Sequence, residues 1–400
     1  MNQRLMQQPD SRPVHYLTRQ RGFIHASFDA TFAQTLCHAF PAAPIVVHGV
    51  GDHNRFIGET MRDHPDHDWS RVTLRTTASG VKDSPVRELG RLNATMRAAA
   101  SDDPQCIFVT DLGSKWTFWL KWRLFIRRAK SPVIALAHSE FEELWSWHSR
   151  VRRFFGGRIL WPPNPGGLRF LVLGDHILRR LRLLLGPRRC RSVVSIEHPG
   201  LVPAGAHPQA ADAQPVRFGF VGVSIKGLEL FATIAEKVRE AAGSVGFLNA
   251  GFVDNEKSAA ICRGFIEDLQ TDPLSRESYL RVLDRMTYGI WYHDHSRYRL
   301  RASGTLIDLM MAGKPAFFMD CNYVRRLFRR HGRLGYLFRD FAELEGLLTA
   351  VAKSFPEQEY REQCRNIAAA ARCYSPEAQG AALRTAVLGL REDFATHRHA

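Results

Sequence analysis

Tyr298-Arg299-Leu300-Arg301-Ala302-Ser303-Gly304-Thr305-Leu306-Ile307-Asp308-Leu309-Met310-Met311-Ala312-Gly313-Lys314-Pro315-Ala316-Phe317-Phe318 is the stretch on which the reading of this 400-residue chain turns. It follows a strand-like run, Tyr288-Gly289-Ile290-Trp291-Tyr292, and opens a helix at Ser303. Gly313 and Pro315 end that helix, and the next strand starts at Ala316 and runs to Met319. Free N–H groups at the helix start, a hydroxyl on Ser303 or Thr305 and the bare backbone of Gly304 make a cradle suited to phosphate. Asp308, one turn further in, is placed to accept hydrogen bonds from a ribose. The plain alternative is an ordinary helix N-cap, for which Ser and Thr are common.

Upstream, the same grammar opens a second α/β series. The strand Val216-Arg217-Phe218-Gly219-Phe220-Val221 runs into Gly222-Val223-Ser224-Ile225-Lys226-Gly227 and a helix from Leu228 to about Ala242. The stretch from Pro199 to Pro215 is rich in Pro, Ala and Gly and has no periodicity, which reads as a linker. Before it, strand-like runs at Val14 to Leu17, Pro44 to His48, Cys106 to Thr110, Ser131 to His138 and Ser192 to Ile196 alternate with helical stretches. Phe28, Phe32, Leu36 and Phe40 recur every four residues and predict one buried helix face. Such alternation predicts parallel sheets covered on both faces, whose functional groups gather at strand ends; His48, Asp111, His138 and Glu140 stand there. The predicted fold is therefore α/β. Residues 1–200 form a first Rossmann-like domain, 201–215 a linker and 216–350 a second Rossmann-like domain across a cleft. Helices in 351–400 cross the hinge and pack back on the first domain.

No stretch approaches the roughly 18 uncharged apolar residues that a membrane span requires, and the N-terminus has no apolar signal region. The seven cysteines are scattered without a Cys-x-x-Cys pair, which fits a reducing cytoplasm. The net charge of +15 is concentrated: residues 115–191 carry 17 Lys and Arg against four acids, together with six of the eight tryptophans. Basic residues mixed with Trp and Phe suit the inner face of an anionic plasma membrane, with Phe154 to Gly157 and Leu181 to Leu185 as inserting pieces. Two other readings compete: a core face built by Trp116, Trp119 and Trp122 with solvated lysines opposite, or a nucleic-acid surface. No RNA-binding or helix-turn-helix signature supports the last, so no nucleic-acid partner is expected.

Asp308, Gly313 and Pro315 keep the spacing of the donor-binding domain of GT-B glycosyltransferases, which this segment resembles. Phe218 to Gly222 with Lys226-Gly227 looks like the first strand and loop of the same domain. Gly22-Phe23-Ile24-His25, Asp111-Leu112 and Ala137 to Glu142 look like the acceptor domain of the enzymes of bacterial exopolysaccharide and lipopolysaccharide synthesis. The resemblance spans Val14 to about Leu348, and its specificity comes from Phe218 to Pro315. It implies transfer of a sugar from a nucleotide-sugar co-substrate to a lipid-linked or saccharide acceptor. The donor would be held by Gly222, Ser224, Lys226, Arg299, Arg301, Ser303, Gly304, Thr305 and Asp308. Lys226, Arg299 and Arg301 would neutralise the leaving diphosphate, so no metal or other cofactor is expected. Leu300 stands where many retaining members carry an acid, which points to inversion and hence to one general base, drawn from Glu140, Asp111, His138 and His25.

The stretches around His64, Asp66, His67 and Asp68 and around His293, Asp294 and His295 lack the framework of a metal site. Alternatives of function are a nucleotide-sugar epimerase of the same fold, acting on the donor alone, and a basic nucleic-acid-binding protein without catalysis.

Overall fold

The computed structural model describes residues 10–23, 25–77, 85–126, 131–145, 154, 158–160, 164–165, 167–203, 215–222, 228–253, 255–293 and 298–398. The chain separates into two compact units. One holds residues up to Pro199 with Arg299–Ala302 and everything from Ser375, and the other holds Gly200–Tyr298 and Ser303–Tyr374.

The first unit is built on β1 (Val14–Leu17), α1 (Ala26–Ala39), β2 (Ile45–Val50), α2 (Gly51–Asp63), β3 (Val72–Thr77), α3 (Pro85–Ser101), β4 (Cys106–Thr110), α4 (Gly113–Ile126), β5 (Val133–Ala137), β6 (Leu168–Leu173), α5 (Asp175–Leu185) and β7 (Val193–Ile196). Its strands form a parallel seven-stranded sheet in the order β3-β2-β1-β4-β5-β6-β7. Val14 and Tyr16 face α1 on one side, while Leu17 faces Leu92 and Met96 of α3, Leu120 and Leu124 of α4 and Ile177 and Leu181 of α5 on the other.

The second unit runs β8 (Arg217–Val221), α6 (Leu228–Ala242), β9 (Gly246–Ala250), α7 (Glu256–Arg263), α8 (Arg276–Arg285), β10 (Tyr288–Trp291), α9 (Gly304–Met311), β11 (Ala316–Met319), α10 (Asn322–His331), β12 (Gly335–Phe338), α11 (Phe341–Lys353) and α12 (Glu357–Cys373). The parallel order is β12-β11-β10-β8-β9. A last helix, α13 (Pro376–Arg398), belongs to the first unit, where Leu383 and Val387 pack in the α1 core and Arg384 donates to the Ala39 carbonyl at 2.8 Å. This helix explains why α1 is buried almost all round instead of on the one face that its phenylalanine spacing predicts.

Both sheets grow outward from a central strand pair, β1 and β4 in the first and β8 and β10 in the second. At such a switch point the loops leaving the two strands turn opposite ways and leave a crevice at the carboxyl ends.

The basic, aromatic window resolves into two parts. Leu168–Leu173, which the alternation of runs did not single out, is an inner strand, and Leu181 is core instead of an inserting residue. Helix α4 reverses the core-face reading: Ser114, Thr117, Leu120, Lys121 and Leu124 point inward, while Trp119, Trp122, Phe125 and Ile126 are 46%, 42%, 67% and 74% exposed. The buried Lys121 ammonium donates to the carbonyls of Arg158 and Ile159 at 3.3 and 3.4 Å, and burial brings its pKa down to about 8. Outside, Phe118, Trp119, Trp122 and Phe125 form a ladder of edge contacts about the helix surface. Phe154 and Leu183 are also exposed, whereas 155–157 lie outside the described residues. Among the described residues no helix is long and apolar enough to cross a membrane.

Candidate functional site

In the second unit the crevice is lined by backbone. Gly222 ends β8 with φ 110°, a conformation that an L side chain rarely adopts, and its N–H donates to the Ala250 carbonyl at 2.9 Å. Gly251, after β9, comes so close that a Cβ there would sit 1.9 Å from the Gly222 oxygen, and a Cβ on Gly222 would touch Thr305 at 3.2 Å. Among the described residues, two strand ends and the start of α9 thus meet across glycine backbone, with the exposed Gly304 and half-exposed Thr305 at the helix N-terminus.

Ser303 is spent on structure. Its buried hydroxyl accepts from the Leu306 N–H at 3.3 Å and from the Trp291 indole at 3.0 Å, and lies 3.1 Å from the Thr305 hydroxyl. Of the two hydroxyls read as phosphate ligands, Thr305 is therefore the one on the open side. Asp308 is half-buried; the Tyr279 hydroxyl donates to it at 2.7 Å and Arg276 approaches within 3.9 Å, both from α8. Gly313, φ 69°, closes the helix, so the Gly-x-Pro spacing has a local cause: a left-handed cap followed by the residue that enters β11. Ser224 and Lys226 lie outside the described residues. Arg299 and Arg301 fall in the first unit, where the Leu300 N–H donates to Glu142 at 2.6 Å.

In the first unit the crevice is lined by side chains. His25 stands at the start of α1, in the loop after β1, Asp111 and His138 follow β4 and β5 directly, and their ligand-type atoms all lie within 4.8 Å of one another. His25 and Asp111 both hold left-handed backbone, φ 62° and 55°, which for residues other than glycine is uncommon and gathers at functional sites. The His138 ring packs edge-on to Phe28 at 4.4 Å and to His25 at 5.0 Å. Burial, then the neighbouring His25 and His198, hold its pKa well below the usual range, so the ring is neutral. Glu140 is buried, and its two oxygens accept from the Gly113 N–H at 3.1 Å and the Ser139 N–H at 2.9 Å. Burial and the Asp111 charge push its carboxyl up to about 7. Both oxygens being committed to backbone, Glu140 holds the turn after Asp111, and the open side of the cluster belongs to His25 and Asp111.

Beneath the His25 turn lies a network absent from the sequence reading. Asp29 is fully buried and accepts from Tyr16, from Thr18 at 2.8 Å and from His53 Nε2 at 2.7 Å. The other His53 nitrogen donates to the Gly22 carbonyl at 2.7 Å. Burial opposes charge on His53, but the Asp29 hydrogen bond and charge with the Gly22 carbonyl outweigh it and raise its pKa. Both ring nitrogens face acceptors, an arrangement that favours the protonated ring beside Asp29. Gly22 is also tied to Asp52 through its N–H at 3.0 Å, so the turn carrying His25 is held at two points.

No protein-family model matches this sequence, and no curated protein matches it by sequence. Among solved structures the chain is similar to Anabaena HepE, determined in complex with UDP and glucose, with a TM-score of 0.64 at 10% identity over 94% of this chain and 99% of that one. It is similar to sucrose-phosphate synthase from Thermosynechococcus elongatus, with a TM-score of 0.62 at 14% identity over 96% and 100%. A putative UDP-N-acetylglucosamine 2-epimerase from Listeria monocytogenes gives 0.57 at 10% identity over 95% and 97%. The fold is GT-B.

Within this GT-B chain, Gly222, Ser303, Gly304, Thr305 and Asp308 come together in the second unit, and His25, Asp111 and His138 in the first, with Glu140 behind them. Asp29, His53, Tyr279 and Arg276 went unread. The only sequence signal for His53 was Gly49-Val50-Gly51-Asp52-His53, a glycine turn at the end of a strand-like run. His48, by contrast, lies inside β2, where its Nε2 is 2.8 Å from His15 Nδ1 in the buried layer.

Proposed function

We propose that the protein transfers a sugar from a nucleotide-sugar donor to a hydroxyl of an acceptor, with the donor diphosphate on the second unit and the acceptor hydroxyl activated on the first. One observation carries this reading: each sheet has its chemistry-bearing groups at its own switch point, and the two sets are complementary in kind. The glycine-lined start of α9 offers N–H groups and a positive helix end to a diphosphate, with Thr305 as hydroxyl donor and Asp308 for the ribose. Lys226, outside the described residues, is the cation that the sequence offers. The imidazole and carboxylate groups of the first unit suit removal of a hydroxyl proton. The bond from the anomeric carbon to the diphosphate breaks, the acceptor oxygen bonds to that carbon and its proton passes to the cluster.

The outward aromatic face of α4, in a strongly basic stretch, supports an acceptor carried on a lipid at the inner face of the bacterial plasma membrane, as in surface polysaccharide synthesis. An epimerase shares the fold but has no use for such a face.

Thermal melts with UDP, GDP, CDP and TDP and their sugars test the donor half, because a ligand that binds only the folded state raises its stability. One nucleotide should stabilise the chain, and Thr305→Ala with Asp308→Ala should remove the shift; no shift with any of them would overturn the reading. Flotation with anionic vesicles, lost in a Trp119→Ser/Trp122→Ser variant that melts as the parent does, tests the acceptor side. Product analysis separates transfer to an acceptor from epimerisation of the donor.

A further inference from the structure

We infer that His25, Asp111 and His138 form a divalent metal site of the zinc class in the first unit. Three protein ligands of this kind, two imidazoles and one carboxylate, make the set that binds Zn2+ or a similar first-row ion while leaving a coordination position for a substrate oxygen. The three come from separate loops, one before α1 and two after β4 and β5, and their candidate ligand atoms already lie within 4.8 Å of one another. Bonds of about 2.0–2.1 Å around a tetrahedral ion would place them about 3.3 Å apart, so metal binding needs a contraction of roughly 1.5 Å or less.

Two further features fit a ligand set. The His138 Nε2 is buried without a hydrogen-bond partner. The turn bearing His25 is held by the Asp29–His53 network, and the turn after Asp111 is held by Glu140, so two of the three ligands are positioned by groups outside the set.

With the ion bound the three side chains are ligands and not bases: the ion would hold an acceptor hydroxyl at its open position and acidify it, and the proton would leave to solvent in place of the cluster. This role rests on the proposed sugar transfer, whereas the binding itself does not. It concerns the acceptor alone and leaves the donor diphosphate to the start of α9.

The test uses the full chain stripped of metal with chelator and titrated with Co2+ and Zn2+. One equivalent of Co2+ should give the intense visible absorption of a low-coordinate site, and Zn2+ should displace it. Asp111→Asn and His25→Asn keep a residue type that tolerates left-handed backbone, so they isolate the ligand from the turn. Each, like His138→Gln, should weaken binding at least about tenfold, while His67→Gln should leave it intact. A wild-type chain that shows no such spectrum, or variants that bind like wild type, would overturn the site. Metal uptake without sugar transfer would leave the site standing and sink the proposed function; transfer undiminished in chelator, with no uptake, would do the reverse.

Discussion

The two units solve the same topological problem with opposite materials. At the switch point of the second, Gly222 and Gly251 remove side chains so that main chain and the start of α9 line the crevice. At the switch point of the first, His25, Asp111 and His138 fill that place with titratable groups, and a second layer of Asp29, His53 and Glu140 holds them. A backbone cradle suits an anion shared by many ligands, because N–H groups and helix ends recognise charge and not identity. A side-chain cluster suits chemistry at one atom, and its cost is burying charge that must be paired.

That contrast is open to attack, most strongly at Asp29. Replacing it with Ala leaves the buried Tyr16 and Thr18 hydroxyls and the His53 ring without their shared acceptor, which should cost about 3–5 kcal/mol, seen in chemical unfolding of the first unit; a loss below 1 kcal/mol would show the network to be idle.

Gly251→Ala strikes the backbone site. Its Cβ would meet the Gly222 carbonyl at 1.9 Å, so main chain must move, at about 3 kcal/mol, and any nucleotide-induced thermal shift should vanish with it. Gly219→Ala meets side chain and not backbone, Met286 from Cγ to Cε at 2.1–2.4 Å, and should be milder.

Acid should find the first unit through His48. Burial, then the adjacent His15, depress its pKa to about 4, below the ordinary value near 6.5. The folded state therefore binds the proton less well than the unfolded chain. Stability is full above pH 6.5 and falls as pH drops from about 6.5 toward 4, by roughly 3 kcal/mol. The 2.8 Å contact between His15 Nδ1 and His48 Nε2 shows why: one proton satisfies both nitrogens, and a second would set two N–H groups face to face. Denaturant unfolding at several pH values should show this slope, and His48→Gln should flatten it.

The smallest effect belongs to Ser303→Ala, which removes a helix cap and strands the Trp291 indole, for about 1–2 kcal/mol. If nucleotide binding survives that variant, the hydroxyl of Ser303 is structural and Thr305 serves the ligand.

Most strands were legible because an inner parallel strand must be apolar on both faces, and Cys106 to Thr110 or Ala316 to Met319 read as such runs. Val72–Thr77 escaped because it is an edge strand of threonines and charge, and Leu168–Leu173 because a basic neighbourhood disguised it. Site residues were legible where they sit at a strand end or a helix start, as His25, Asp111, His138 and Thr305 do. Asp29 and His53 lie inside helices, where the local pattern of a buried ion pair is the same as that of two surface residues.

Local chemistry alone thus determined the α/β alternation, the helix start at Ser303 and the concentration of charge, since periodicity, caps and composition act within a few residues of themselves. Only the tertiary structure decided that α4 turns its tryptophans outward and its lysine in, that Leu181 is core, that α13 closes over α1, and that His25, Asp111 and His138, from three separate stretches of the chain, meet within 4.8 Å. The reason is that burial and pairing are properties of what the rest of the chain brings alongside, and strand order, which sets those neighbours, is written in no single segment.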